Sequence, residues 1–230
     1  MKVRAEQVRL QCVGKFKSKE ASILLPLKIG ILGAGNIGGT LGRHWAEAGH
    51  EVFLSSRHPK ELQKLAKEIG HGAQVGTLEE AAKFGDIIVL TIPWRNKQDL
   101  PNRELFRGKV VVDTMNPYSS FGTVIDLGES TSSEEVAKII PGARLVKAFN
   151  TMRAGDLKSG AFRSGDDRWA MFVAGDDAEA KRLVSGLIEE IGFVPVDTGS
   201  LREGGRSQQP GTKIYAKRLS EKEARALLSP

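Results

Sequence analysis

The chain has 230 residues, 40% hydrophobic and 27% charged, an ordinary globular composition long enough for one large domain or a domain with a small annex. Its most apolar stretch, Ile23 to Leu32, is broken by Pro26 and Lys28 and is too short to cross a bilayer, and its single cysteine, Cys12, excludes an intrachain disulfide and fits a reducing, cytoplasmic compartment. The net charge of +6 does not imply nucleic-acid binding, because residues 1–27 carry six basic and two acidic side chains and leave the body of the chain nearly balanced.

Residues 1–27 show no clear period and no continuous apolar run, so they are expected to be a poorly ordered extension and not a secretory signal. From Lys28 strands and helices alternate. Lys28 to Gly33 predicts a buried strand and Asn36 to Ala48 a helix ended by Gly49. Glu51 to Ser55 predicts a second strand, and Pro59 to Ile69 has helical spacing before Gly70. A short strand over Ala73 to Gly76 precedes Thr77 and Glu80, which are spaced as a capping box. Asp86 to Thr91, Lys109 to Asp113 and Arg144 to Phe149 are apolar runs with strand character, and Ser132 or Ser133 is placed to cap a helix reaching Ile140.

The later residues continue the alternation. Trp169 to Ala174 and Phe193 to Val196 predict strands around a helix capped by Asp176 or Asp177 and running through Ile191. Gly204 to Gly211 is loop-like, and Ser220 with Glu223 opens a last short helix. Continuous apolar strands alternating with helices indicate an α/β fold: a Rossmann-type, doubly wound, mostly parallel sheet over residues 28–150, with a smaller C-terminal α/β part over residues 151–230.

The first strand runs directly into Gly33-Ala34-Gly35-Asn36-Ile37-Gly38, a GxGxxG that opens a helix. In that context the first glycine permits the tight turn, the second lets the backbone approach a pyrophosphate, and the third lets helix and strand pack closely. The helix start then offers free N–H groups to the phosphates. The cofactor is selected at the end of the second strand. An NAD enzyme usually carries Asp or Glu there for the ribose 2′-hydroxyl. This chain has Ser55-Ser56-Arg57, with Lys60 nearby, which suits a 2′-phosphate and therefore NADP(H). Thr91 to Trp94, Thr114 to Pro117 and Ala148 to Thr151 lie at further strand ends, where ligands of such sheets bind.

No acid–base set announces itself, and none of His44, His50, His58 and His71 has metal-ligand spacing with another His or Cys. Neither a catalytic side chain nor a metal site is therefore expected. Hydride transfer between two cofactors needs chiefly orientation and water exclusion, which fits that gap.

The segments Gly33 to Gly39, Ser55 to Arg57, Gly85 to Trp94, Lys147 to Thr151 and Ala174 to Asp177 together resemble the NADP oxidoreductase family that works with the deazaflavin coenzyme F420. The resemblance runs from Lys28 to about Thr198. It implies that Ala34 to Ile37 line the pyrophosphate and that Ser56 and Arg57 hold the 2′-phosphate. It further implies that Thr91, Ile92 and Asn150 to Ala154 lie near the adenosine or nicotinamide; Asn116 is a cofactor-binding candidate from its own strand end. A homodimer acting on a small redox coenzyme follows from the same resemblance, while the charge distribution and the short apolar runs give no expectation of a nucleic-acid or membrane partner. The family's lysine after Ser-Arg stands here as Lys60, one position early, and the tail from Gly199 departs from the deazaflavin enzymes. The acceptor is thus a deazaflavin or a flavin. The alternatives are a flavin or ferric reductase, a hydroxyacid or imine dehydrogenase, which lacks here its long helical domain, and a non-catalytic NADP-binding sensor.

Overall fold

The computed structural model describes residues 25–229, so nearly all of the expected N-terminal extension, Cys12 included, lies outside the described residues. Eight strands form one sheet: β1 (Lys28–Leu32), β2 (Glu51–Ser55), β3 (Gln74–Gly76), β4 (Ile87–Leu90), β5 (Val110–Asp113), β6 (Arg144–Ala148), β7 (Ala170–Gly175) and β8 (Val194–Gly199). Their order is β3-β2-β1-β4-β5-β6-β7-β8. The first six are parallel, β7 pairs antiparallel with β6, and β8 runs parallel to β7. The order reverses between β1 and β4, the place where doubly wound sheets open a crevice. Residues 151–230 therefore add strands to the same sheet.

The helices are α1 (Asn36–Glu47), α2 (Gln63–Ile69), α3 (Leu78–Phe84), α4 (Ser132–Ile139), α5 (Ala154–Gly160), α6 (Ala178–Glu190), α7 (Glu203–Ser207) and α8 (Glu221–Leu228). The central strands β1, β4 and β5 are buried almost throughout because helices cover both of their faces, whereas the edge strands β3 and β8 are partly exposed. Ile29, Ile31, Ile87, Val89, Val110 and Val112 pack with Leu41 and Trp45 of α1 and with Val184, Leu187 and Ile188 of α6. The alternate residues Leu32, Ile88, Leu90 and Val111 face the other way, onto Ala81 and Ala82 of α3 and Val136 of α4. Beyond the parallel run, α8 closes a smaller core through Ala224 against Phe172 and Val196.

Most helix starts fall where the sequence puts them. Thr77 with Glu80 and Ser220 with Glu223 form complete capping boxes, and Asp177 caps α6 by accepting from the N–H groups of Glu179 and Ala180. The same carboxylate takes a two-pronged bond from Arg144 at 2.6 and 2.9 Å, and together these partners hold Asp177 well below the usual carboxylate range. Three expectations are corrected. Thr131 caps α4 in a box with Glu134, because the hydroxyls of Ser132 and Ser133 are committed elsewhere. The run from Pro59 begins as a 3-10 turn, Pro59–Leu62, before α2. The glycine-rich stretch after Arg202 contains α7, which the glycines permit by close packing: a Cβ at Gly204 would lie 2.6 Å from Oγ1 of Thr198.

Ser132 and Ser133 serve a fully buried ion pair. Lys147 on β6 directs its ammonium at Oδ2 of Asp113 on β5 (3.2 Å), at Oγ of Ser132 (2.9 Å) and at the Met115 carbonyl, which uses all three N–H bonds. Asp113 in turn accepts from the Met115 N–H (2.9 Å) and from the Ser133 hydroxyl (2.6 Å). Burial lowers the Lys147 pKa from its ordinary value and Asp113 opposes part of that shift. Removing one partner strands the other charge, so Lys147→Met is expected to lower stability to urea by about 3–5 kcal/mol. Adding Asp113→Asn removes the stranded charge and should recover part of the loss. A double variant no more stable than the single would refute that account of the pair.

Candidate functional site

The turn from β1 into α1 is built by backbone contact. Gly33 has φ of 108°, and a Cβ there would lie 2.9 Å from the Ile92 nitrogen. At Gly38 a Cβ would fall 2.2 Å from the Gly33 carbonyl oxygen and 2.6 Å from Oγ1 of Thr91, so the first turn of α1 lies directly on the end of β1. The Thr91 hydroxyl seals that junction by donating to the Gly33 carbonyl at 2.5 Å. Gly35 is different. A Cβ on it would meet no protein atom within 4 Å, so protein packing does not explain a glycine at that position. It is exposed and stands as the N-cap of α1 with no side-chain cap, and the first turn holds no acidic residue. The first helical bond is donated by Gly39 to the Gly35 carbonyl (2.7 Å), which leaves the N–H groups of Asn36, Ile37 and Gly38 ahead of it. Ala34 donates back to the Ser55 carbonyl at 2.9 Å. The result is an open cradle of backbone donors at a helix start, suited to a phosphate group.

The end of β2 lies beside this cradle, because Gly33 and Ala34 both bond the Ser55 carbonyl. Ser55 itself is fully buried and its hydroxyl donates to the Ile31 carbonyl at 2.7 Å, so it acts within the sheet. Ser56 is partly exposed and its hydroxyl accepts the His58 N–H at 2.9 Å. Arg57 and Lys60 are exposed, and neither is paired with a carboxylate among the described residues. A serine hydroxyl and two uncommitted cations at the ribose end of the crevice fit a 2′-phosphate.

On the other side of Thr91 and Ile92 the strand ends of β5 and β6 converge. Asn116 Nδ2 donates to the Asn150 carbonyl (2.8 Å), and Asn150 Nδ2 donates back to Asn116 Oδ1 (3.0 Å). Asn150 also reaches the carbonyl of Gln208 at 2.8 Å, which ties the C-terminal segment across these strand ends. Tyr215 joins the same network: its hydroxyl oxygen accepts from Asn116 Nδ2 (3.3 Å) and lies 3.1 Å from the hydroxyl oxygen of Tyr118. Ala154 opens α5 close by, after the buried Thr151, whose carbonyl accepts the Ala216 N–H at 2.8 Å.

The structure thus gathers the expected residues into two groups. Gly33, Ala34, Gly35, Asn36, Ile37, Gly38, Ser56, Arg57, Lys60, Thr91 and Ile92 surround the crevice between β1, β2 and β4, while Asn116, Asn150 and Ala154 sit at the β5 and β6 ends. Tyr118, Gln208 and Tyr215 were not foreseen. Tyr118 follows the strand-end sequence Asn116-Pro117, which was a usable signal, whereas nothing local marks Gln208 or Tyr215. The histidines nearest the core are packing groups: His44 approaches the Leu157 carbonyl through Nε2 (3.3 Å), with burial lowering its pKa, and His50 bonds Glu190 at 2.7 Å. No group of three or more metal-ligating side chains is present among the described residues.

Comparison with known proteins adds identity to this geometry. A family model described as NADP oxidoreductase, coenzyme F420-dependent, matches residues 28–117. Metalloreductase STEAP3 of Rattus norvegicus is 31% identical over 175 residues, covering 76% of this chain and 34% of that protein. The chain spans about a third of the length of the mammalian metalloreductases it matches. The F420-dependent NADP reductase of Methanothermobacter thermautotrophicus is 29% identical over 196 residues, covering 77% of this chain and 83% of that enzyme. A solved structure of a hypothetical protein, SMa0349 of Sinorhizobium meliloti, superposes with a TM-score of 0.75 at 30% identity, over 85% of this chain and 96% of that one.

The two exposed and buried glycines of the turn respond differently to a methyl group. Gly35→Ala is expected to leave the melting temperature within about 2 °C and to weaken NADPH binding about tenfold or more, because its Cβ enters only the phosphate space. Gly38→Ala collides with backbone and should lower the melting temperature as well. Paired thermal melts and NADPH fluorescence titrations check this, and equal melting losses in both variants would contradict it.

Proposed function

The chain belongs to the NADP oxidoreductase, coenzyme F420-dependent family, and from that premise we propose that it oxidises NADPH by passing hydride to a deazaflavin coenzyme. The observation that carries the nucleotide half is Gly35, a glycine with open space above it at an uncapped helix start, flanked by the uncommitted Arg57 and Lys60. In this reading the N–H groups of Asn36, Ile37 and Gly38 hold the pyrophosphate, and Gly33 and Ala34 shape the turn. Ser56, Arg57 and Lys60 hold the 2′-phosphate. Thr91 and Ile92 form the floor of the crevice. Asn116, Asn150 and Ala154 border the nicotinamide, whose C4 supplies the hydride. The enzyme contributes orientation and exclusion of water, since the two coenzymes carry the redox chemistry. The deazaflavin is supported by the likeness to an F420-dependent NADP reductase over most of that enzyme's length. The homodimer implied by the resemblance belongs to the same proposal.

A second reading is favoured by the metalloreductase likeness, which is the higher in identity although it covers only a third of that protein. In that reading the acceptor is a flavin or a ferric ion. Among the described residues no helix is long and apolar enough to cross a membrane.

Absorbance at 340 nm separates the readings. The purified chain with NADPH is offered a deazaflavin, FMN, FAD and a ferric chelate in turn. Oxidation of NADPH by the deazaflavin supports the proposal, oxidation by flavin alone moves the chain to the second reading, and tight NADPH binding without any turnover makes it a nucleotide sensor. Arg57→Ala is expected to raise the KM for NADPH at least tenfold and leave that for NADH within about twofold, since a charge-assisted bond to the 2′-phosphate contributes roughly 1.5–3 kcal/mol. Equal effects on both nucleotides would exclude the 2′-phosphate role.

A further inference from the structure

We propose that Tyr118 and Tyr215 act as one hydrogen-bond donor that holds the negative charge arriving on the electron acceptor. This rests on the reading that the chain reduces a deazaflavin or flavin. The chain contains two tyrosines, 97 residues apart, and the fold brings their hydroxyl oxygens to 3.1 Å. The Tyr215 oxygen already accepts from Asn116 Nδ2. The two hydroxyls hold two hydrogens, and whichever one donates within the pair, the other hydrogen remains. Among the described residues that hydrogen has no acceptor, so the pair offers one donor outward.

Its position is set through Asn116, which bonds the Tyr215 oxygen. Asn116 at the end of β5 and Asn150 at the end of β6 exchange hydrogen bonds, and Asn150 also holds the Gln208 carbonyl of the C-terminal segment. Both tyrosines are partly exposed, and the pair stands beside Asn116 at the end of β5. Burial and the neighbouring Tyr118 raise the Tyr215 pKa above its ordinary value, which keeps the phenol protonated as a donor, while Arg153 nearby supplies a positive charge that pulls the other way.

The reaction has a use for such a donor. The C4–H bond of the dihydronicotinamide breaks and its hydride forms a C–H bond at C5 of a deazaflavin, or an N–H bond at N5 of a flavin. The nicotinamide is left oxidised, and the displaced electron pair collects on the N1–C2 oxygen region of the acceptor. A proton from water completes the reduction there. A neutral phenol hydrogen aimed at that region stabilises the charge as it forms, the role that fixed donors play at developing oxyanions.

The test compares wild type with Tyr118→Phe, Tyr215→Phe and the double variant, each with NADPH and the acceptor that wild type turns over. The double variant is expected to lose about 10²-fold in the single-turnover rate of acceptor reduction. NADPH Kd should stay within about twofold, and affinity for the reduced acceptor should fall more than affinity for the oxidised one. Each single variant should lose several-fold. If the double variant fails to bind NADPH, and so to fold, the singles decide. Unchanged rates in the folded variants overturn the proposal and leave the reductase reading intact. A rate loss with equal weakening of oxidised and reduced acceptor also overturns it, because that is the mark of lost positioning alone. A wild type that reduces neither deazaflavin nor flavin overturns both.

Discussion

The first turn of α1 lies against the end of β1 closely enough that no side chain fits between them. A Cβ at Gly38 would stand 2.2 Å from the Gly33 carbonyl oxygen, and a Cβ at Gly33 would meet the backbone of Ile92. That contact fixes three things together. It aims the free N–H groups of α1 at the gap between β1 and β4, it ties the turn to the end of β4 through the Thr91 hydroxyl, and it seats the turn on the Ser55 carbonyl at the end of β2. A looser junction would still give a parallel sheet, but the donors would not converge. The crevice therefore depends on absent side chains in the turn more than on any side chain that lines it.

Further along the sheet the constraint is of the opposite kind. The ends of β5 and β6 are held by charge, with Lys147 and Asp113 fully buried and every N–H and carboxylate oxygen of the pair bonded. A hydrophobic replacement would often be as stable. The pair does something an apolar contact would not: it draws the Met115 backbone and the start of α4 to one point. The loop between them leaves β5 in a defined direction, with Asn116 and Tyr118 placed above the sheet edge. Precision at that edge is bought by the ionic network beneath it.

The central strands were legible in the sequence because both of their faces are covered, so each is a short run rich in β-branched residues and bounded by turn residues. The dinucleotide turn was legible because its glycines are adjacent in the chain. The cap of α4 was not: Thr131, Ser132 and Ser133 are equally good caps locally, and the choice is made by Lys147 and Asp113, which engage the two serines. α5 escaped notice because it is one short piece with glycine at two of its seven positions, stabilised by the buried Leu157. Tyr118 and Tyr215 meet across 97 residues through a network that no local pattern encodes. Ser55 shows the converse error of a local reading, since its place beside Ser56 and Arg57 suggested a ligand contact, whereas burial commits its hydroxyl to Ile31.

These two kinds of constraint divide the site. The nucleotide half is made by β1, β2, β4 and the turns that follow them, all within the span matched by the family model. The edge beyond Asn116 is completed by the chain that returns after β8: because β7 runs against β6, residues 208–216 cross back over the β5 and β6 ends and meet Asn150, Asn116 and Thr151. Changes in that returning segment leave the glycine contacts around Gly33 and Gly38 untouched, so one half of the site can change its ligand without disturbing the other. On the reading proposed above, NADPH binding is anchored by the half that must stay fixed, and the choice of acceptor rests on the half that is free to vary.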